Sequence, residues 1–147
     1  MKTAAIRRLR RQLAADQPVL GLWVTLEAPS VTEMAVALGY DWVVIDAEHG
    51  HLDWKEISEH LRATVRSETV ALVRIAELNG GLIKRALDIG ADGIVMAMVS
   101  EILRLSGDER ERLAEAACRF ARGRGVAIIS VGAESTVVAE RYARHAQ

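Results

Sequence analysis

The stretch Trp42-Val43-Val44-Ile45-Asp46-Ala47-Glu48-His49-Gly50 decides the fold class of this chain. Its apolar run, Trp42 to Ile45, has the length of a buried strand and ends abruptly in Asp46, Glu48 and His49, closed by a glycine. Parallel α/β proteins place their chemistry where such strands end, at the C-terminal edge of the sheet. Core packing gives no reason for three ionisable groups there. The plain alternative is an ordinary polar loop between a strand and a helix.

Outward from this stretch, strands and helices alternate. Strands are expected at 19–26, 42–46, 70–75, 93–99 and 126–131. Ser30 with Glu33, Asp53 with Glu56 and Ser106 with Glu109 have the spacing of capping boxes that start helices. Trp54, Ile57, Leu61 and Val65 form one apolar helix face, and Leu82, Ile83, Ala86 and Leu87 another, which stops at Gly90 in a C-cap position. Leu113, Ala116, Ala117 and Phe120 line a fourth buried face, and a last helix runs from a Ser135 cap through Val138, Tyr142 and Ala146. Ile6, Leu9 and Leu13 predict a short amphipathic lid helix at the N-terminus. Repeated βα units with apolar strands imply a parallel sheet flanked by helices.

The 147 residues, half hydrophobic and 27% charged, suit one α/β domain spanning 1–147, which buries roughly 70% of its unfolded surface. A net charge of -1 gives no electrostatic case for nucleic acid or an anionic membrane. No signal-peptide run and no apolar stretch near the ~20 residues of a membrane span is present. The single Cys118, among Ala116, Ala117 and Ala121, reads as a core filler in a reducing cytoplasm. His51, His60 and His145 read as surface histidines. Asn79-Gly80-Gly81 is only a weak phosphate-binding signal.

Five strands fall short of a closed (β/α)₈ barrel, which needs eight. The chain is therefore expected to form a partial TIM barrel, an opened flavodoxin-like doubly wound sheet, or a homo-oligomer that covers its exposed edges.

Several motifs, in order, carry a family resemblance over residues 18–99: Gly21-Leu22-Trp23, Gly39-Tyr40-Asp41-Trp42, Asp46-Ala47-Glu48-His49-Gly50, Val73-Arg74 and Ile83-Lys84-Arg85-Ala86-Leu87-Asp88-Ile89-Gly90-Ala91-Asp92. Residues 1–100 resemble the first four βα units of the metal-dependent HpcH/HpaI aldolases, which cleave 4-hydroxy-2-oxo acids to pyruvate and an aldehyde. The resemblance implies that His49 is the acid/base residue, supported by Asp88, and that Arg74 binds the keto acid and stabilises its enolate. Trp23, Asp46 and Glu48 would line the substrate site, while Arg74 pairing with Asp46 or Glu48 is the plain alternative. Ala97 stands where that family usually has proline. Residues 101–147, through Leu105-Ser106-Gly107-Asp108-Glu109-Arg110, Gly123-Arg124-Gly125-Val126 and Val131-Gly132-Ala133-Glu134-Ser135-Thr136, resemble the dihydrodipicolinate synthase and N-acetylneuraminate lyase family. Together these imply a recombined or engineered chimera joined between Val99 and Leu105.

The first family holds its Mg²⁺ or Mn²⁺ with a Glu and an Asp from strands five and six, and the second forms a Schiff base on a strand-six lysine. Neither segment is represented. Lys55 and Lys84 sit on expected helices, and Glu134 is the one stand-in metal ligand, a solvated turn residue being its plain alternative. The expectation is a non-catalytic aldolase-derived scaffold with no bound cofactor. Its alternatives are a metal-dependent carbon–carbon lyase acting on a pyruvate-like acid and a small anion-binding module.

Overall fold

The computed structural model describes residues 1–77, 79–96, 105–122, 126–133 and 135–146. Its elements are α1 (Thr3–Ala14), β1 (Gly21–Val24), α2 (Pro29–Ala37), β2 (Trp42–Asp46), α3 (Trp54–Thr64), β3 (Val70–Ile75), α4 (Gly80–Asp88), β4 (Gly93–Met96), α5 (Gly107–Ala121), β5 (Val126–Ile128) and α6 (Thr136–Ala146). The five strands are parallel and ordered β1-β2-β3-β4-β5. Sequential order is that of a barrel and has no switch point, so the partial barrel forms and the doubly wound alternative does not.

The two-residue period of the strands divides the core between the sheet's faces. Val43, Ile45, Val73, Ile75 and Ile94 pack with Ala35 of α2, Ile57 and Leu61 of α3 and Ala86 of α4. Val44, Val70, Leu72 and Val95 turn the other way, where a whole barrel has its interior, and are covered by Ala5, Ile6 and Leu9 of α1. The expected lid helix thus exists, although Leu13 is exposed. Burying each of these side chains contributes about 1.5–3 kcal/mol. α1 thus buries much of the face that lines the interior of a whole barrel.

Ionic anchors fix the lid. The Lys2 backbone N–H donates to Asp92 Oδ1, its ammonium to the Thr64 and Thr69 carbonyls, and Arg8 Nη1 to Asp41 Oδ1 at 2.9 Å. Asp92 and Asp41 also accept from the Ala71 and Leu20 backbone N–H groups, tying the strand starts to the same cluster.

The capping boxes at Asp53/Glu56 and Ser106/Glu109 form. The one at Ser30/Glu33 does not. Pro29 occupies the first turn behind Ala28, which has no capping side chain, and the fixed φ of proline starts that helix instead. Gly90, at φ +114°, ends α4 in the conformation that favours glycine. β1 and β5 are shorter than expected, and Ala97 with the proposed joint lies outside the described residues.

Two side chains correct the sequence reading. Cys118 is exposed, because Ala114 and Ala117 form the buried stripe of α5 and the next residue is rotated away from it. His60 is fully buried between α3 and α2. Its Nε2 lies 3.0 Å from the Leu26 carbonyl, which can only accept, so Nε2 carries the proton and Nδ1 accepts from Thr32 Oγ1 at 2.7 Å. Burial pushes its pKa below the ordinary histidine value despite the Leu26 bond and Glu59 and Glu56 nearby. Among the described residues no helix is long and apolar enough to cross a membrane.

Candidate active site

β2 and β3 place Asp46 and Arg74 side by side in register, at the C-terminal end of the strand face that α1 covers lower down. Asp46 is the hub. Its Oδ1 accepts the backbone N–H groups of Glu48 (2.9 Å) and His49 (3.1 Å), which folds the loop back as an Asx turn. Its Oδ2 accepts Arg74 Nη1 at 2.9 Å and Trp23 Nε1, from β1, at 2.8 Å. Burial raises the Asp46 pKa, but the bonds from Trp23, the His49 and Glu48 backbone and Arg74 outweigh it and hold the carboxyl below its ordinary value.

Arg74 is almost wholly buried and lies against a second carboxylate: Nη2 stands 2.5 Å from Glu48 Oε2. That oxygen is buried and has no hydrogen bond of acceptable geometry, so charge rather than a directed bond holds it. The guanidinium also sits 5.6 Å from the centroid of the Trp23 ring, within cation–π reach. Trp23 itself is about half exposed and forms one wall of the cluster.

His49 points outward, its side chain 60% exposed, with Nε2 3.7 Å from Glu48 Oε1. Gly50 follows because the turn runs against its neighbours: a Cβ there would stand 2.8 Å from the Asp46 carbonyl and 3.1 Å from that of Thr25. The loops after β1 and β2 therefore touch backbone to backbone, and His60 holds the first of them through Leu26. Sequence reading missed this support, for which the pairing of Thr32 with a histidine one helix later was the only signal.

Trp23, Asp46, Glu48, His49 and Arg74 are thus brought together, and Arg74 is paired with both Asp46 and Glu48, the plain alternative for that residue. Asp88 is not part of this cluster. It ends α4, at the edge of the sheet opposite His49, and is paired with Lys84 on the protein surface. A helix that returns the chain from the end of β3 to the start of β4 carries its last residue away from the strand C-termini, so Asp88 does not support His49 within one chain. Glu134 lies outside the described residues.

The described residues do not fit a divalent metal. Among them no three His, Cys, Asp or Glu side chains converge on a common point. The carboxylates of Asp46 and Glu48 both face the Arg74 guanidinium, a fixed cation that repels a second one at such distances.

A model of the HpcH/HpaI aldolase/citrate lyase family matches residues 19–107. The chain belongs to that family. It is 32% identical over 133 residues to the hydroxypyruvate/pyruvate aldolase of Agrobacterium fabrum, an alignment over 88% of this chain and 48% of that protein. Against the 2-keto-3-deoxy-L-rhamnonate aldolase of Klebsiella pneumoniae it is 33% identical over 90 residues, 61% of this chain and 34% of that one. A solved HpcH/HpaI aldolase/citrate lyase family protein from Burkholderia cenocepacia superposes with a TM-score of 0.60 at 26% identity, over 91% of this chain and 52% of that one. The chain spans about half the length, or less, of the relatives it matches. An alignment over 88% of the chain cannot be contained in residues 1–100, so aldolase relatives account for part of the C-terminal segment as well.

Proposed function

We propose that this chain carries the acid/base and keto-acid-recognition half of an aldolase site, and that by itself it is a scaffold without appreciable turnover. The observation that carries the proposal is the double engagement of Arg74, 2.9 Å from Asp46 Oδ2 and 2.5 Å from Glu48 Oε2. Arginine is the side chain best shaped to grip a carboxylate, and here two carboxylates of the chain already hold it. A pyruvate-like acid reaches it by displacing Glu48, whose contact lacks hydrogen-bond geometry, while Asp46 stays in place with its four bonds. Trp23 then flanks the acid.

His49, exposed beside this position, is suited to move a proton to or from the aldehyde-forming hydroxyl, a contribution of roughly 10²- to 10⁴-fold. In the metal-dependent aldolases a divalent ion polarises the keto oxygen and neutralises the enolate. The described residues supply no set of ligands for it, and electrostatic stabilisation of developing charge is usually the largest catalytic contribution. On this reading the chain recognises the acid and gives little retroaldol turnover.

One family suffices for this proposal. A second parent for residues 101–147, in an engineered or recombined chain, rests on the resemblance of 105–110, 123–126 and 131–136 alone.

The test measures pyruvate release from a 4-hydroxy-2-oxo acid with Mg²⁺ or Mn²⁺, by the parent chain, His49→Ala and Glu134→Ala. The expected result is no release above background in all three. Robust release that falls with His49→Ala overturns the scaffold reading, and a fall with Glu134→Ala as well assigns Glu134 the metal.

A further inference from the structure

The loop that joins β1 to α2 borders the candidate site, and its own side chains do not hold it there. Thr25, Leu26, Glu27 and Ala28 are all exposed, so none of them anchors the loop by burial. The Ala28 carbonyl accepts the Val31 N–H within the start of α2. Beyond that turn, one hydrogen bond among the described residues joins these four residues to another part of the chain: His60 Nε2 donates to the Leu26 carbonyl at 3.0 Å. His60 is fully buried on α3, and Thr32 of α2 engages its other ring nitrogen at 2.7 Å, so the donor is fixed in direction.

The loop meets the site at Gly50. A Cβ there would stand 2.8 Å from the Asp46 carbonyl, 3.1 Å from the Thr25 carbonyl and 3.4 Å from Thr25 Cα, so the glycine is seated between the ends of β1 and β2. The turn that carries Glu48 and His49 is therefore gripped from two sides. Asp46 Oδ1 holds it from within through the Glu48 and His49 N–H groups, and Thr25 backs it from without. The inner grip belongs to β2 itself. Thr25 stands one residue past β1, and on its far side the tether of the loop is His60.

We infer that His60 is a positioning residue of the candidate site. By holding the Leu26 carbonyl it keeps Thr25 against Gly50, and so keeps Glu48 and His49 beside Arg74. The inference rests on the keto-acid reading of that cluster and extends it to a residue that acts through the backbone. A histidine that only filled space between α2 and α3 would be replaceable by leucine. A tether would not: leucine fills the space and donates nothing, whereas glutamine can donate to Leu26 and accept from Thr32.

Native-state hydrogen exchange on the whole chain separates these roles. The Glu48 and His49 amides report the turn, while the Ala71 and Leu20 amides, bound to Asp92 and Asp41, report the other end of the sheet. In His60→Leu the turn amides are expected to accelerate at least about tenfold more than the two reference amides, as a local opening does. His60→Gln is expected to return to the parent ratio. No acceleration at the turn, equal acceleration at both ends, or His60→Gln behaving as His60→Leu overturns the inference. Pyruvate calorimetry on the same proteins tests the link to the site: His60→Leu is expected to bind roughly threefold or more weakly, because the turn must then be ordered on binding. Binding equal to that of the parent overturns the positioning role. A parent that binds no pyruvate strikes the keto-acid reading instead, and the exchange ratios then decide by themselves whether His60 holds the turn.

Discussion

The two ends of the sheet carry similar buried charges and use them differently. At the N-terminal end, Asp92 and Asp41 are bound by the backbone N–H groups of Ala71 and Leu20 and by Lys2 and Arg8 of the lid helix. Every oxygen of these two carboxylates has a partner, and what they join is one secondary-structure element to another. At the C-terminal end Asp46 is equally saturated, but Glu48 keeps a buried oxygen without a hydrogen bond and His49 stands open to solvent. Arg8 Nε and Gln12 Oε1, beside Asp41, are likewise buried without a hydrogen bond, so orphaned atoms alone do not separate the two ends. What separates them is His49, open to solvent beside a buried arginine at the C-terminal end.

The largest expected effects separate the two ends. Asp92→Ala and Arg74→Met each leave a buried charge without its partner and should lower stability by about 3–5 kcal/mol in chemical denaturation. Only Arg74→Met should abolish pyruvate binding in the molecules that stay folded. Loss of binding in folded Asp92→Ala would break the distinction, because the lid anchor would then be part of the site.

A middle-sized effect is read from pH. Burial lowers the His60 pKa, so the unfolded chain takes up a proton that the folded chain refuses. Stability should then fall as pH drops below about 6.5 and level off below the folded value. Asp41 and Asp46 have pKa values held below normal, the bonds they accept outweighing burial, so they contribute stability above about pH 4 that is lost as pH falls through their folded values. Urea unfolding across this range should therefore show two declines. His60→Gln, which can still donate to Leu26 and accept from Thr32, should remove the upper one only. An unchanged upper decline in that variant would assign it to another group.

The sheet was legible because apolar runs and capping pairs are local: strands two and three appear where expected, and two of three capping boxes form. The exception at Ser30 followed from Pro29 competing for the same helix start. The cluster of Asp46, Glu48 and His49 was legible as a polar end to an apolar strand. Its wiring was not, because Trp23 and Arg74 meet Asp46 through strand register, a relation between distant segments. His60 was misread for a similar reason. A helix pattern shows which side is polar, but not that Thr32 of another helix will pack there. Asp88 was assigned by resemblance, and the path of α4 carries it to the other end of the sheet.

The most direct test of the half-site is pyruvate affinity, measured by titration calorimetry on the parent, Glu48→Gln and Arg74→Met. Neutralising Glu48 removes the competitor for Arg74, so Glu48→Gln should bind pyruvate more tightly by about 1 kcal/mol, roughly fivefold. Arg74→Met should not bind it. If Glu48→Gln binds no better than the parent, or Arg74→Met binds as well, Arg74 is a structural ion-pair partner and the cluster is no keto-acid site.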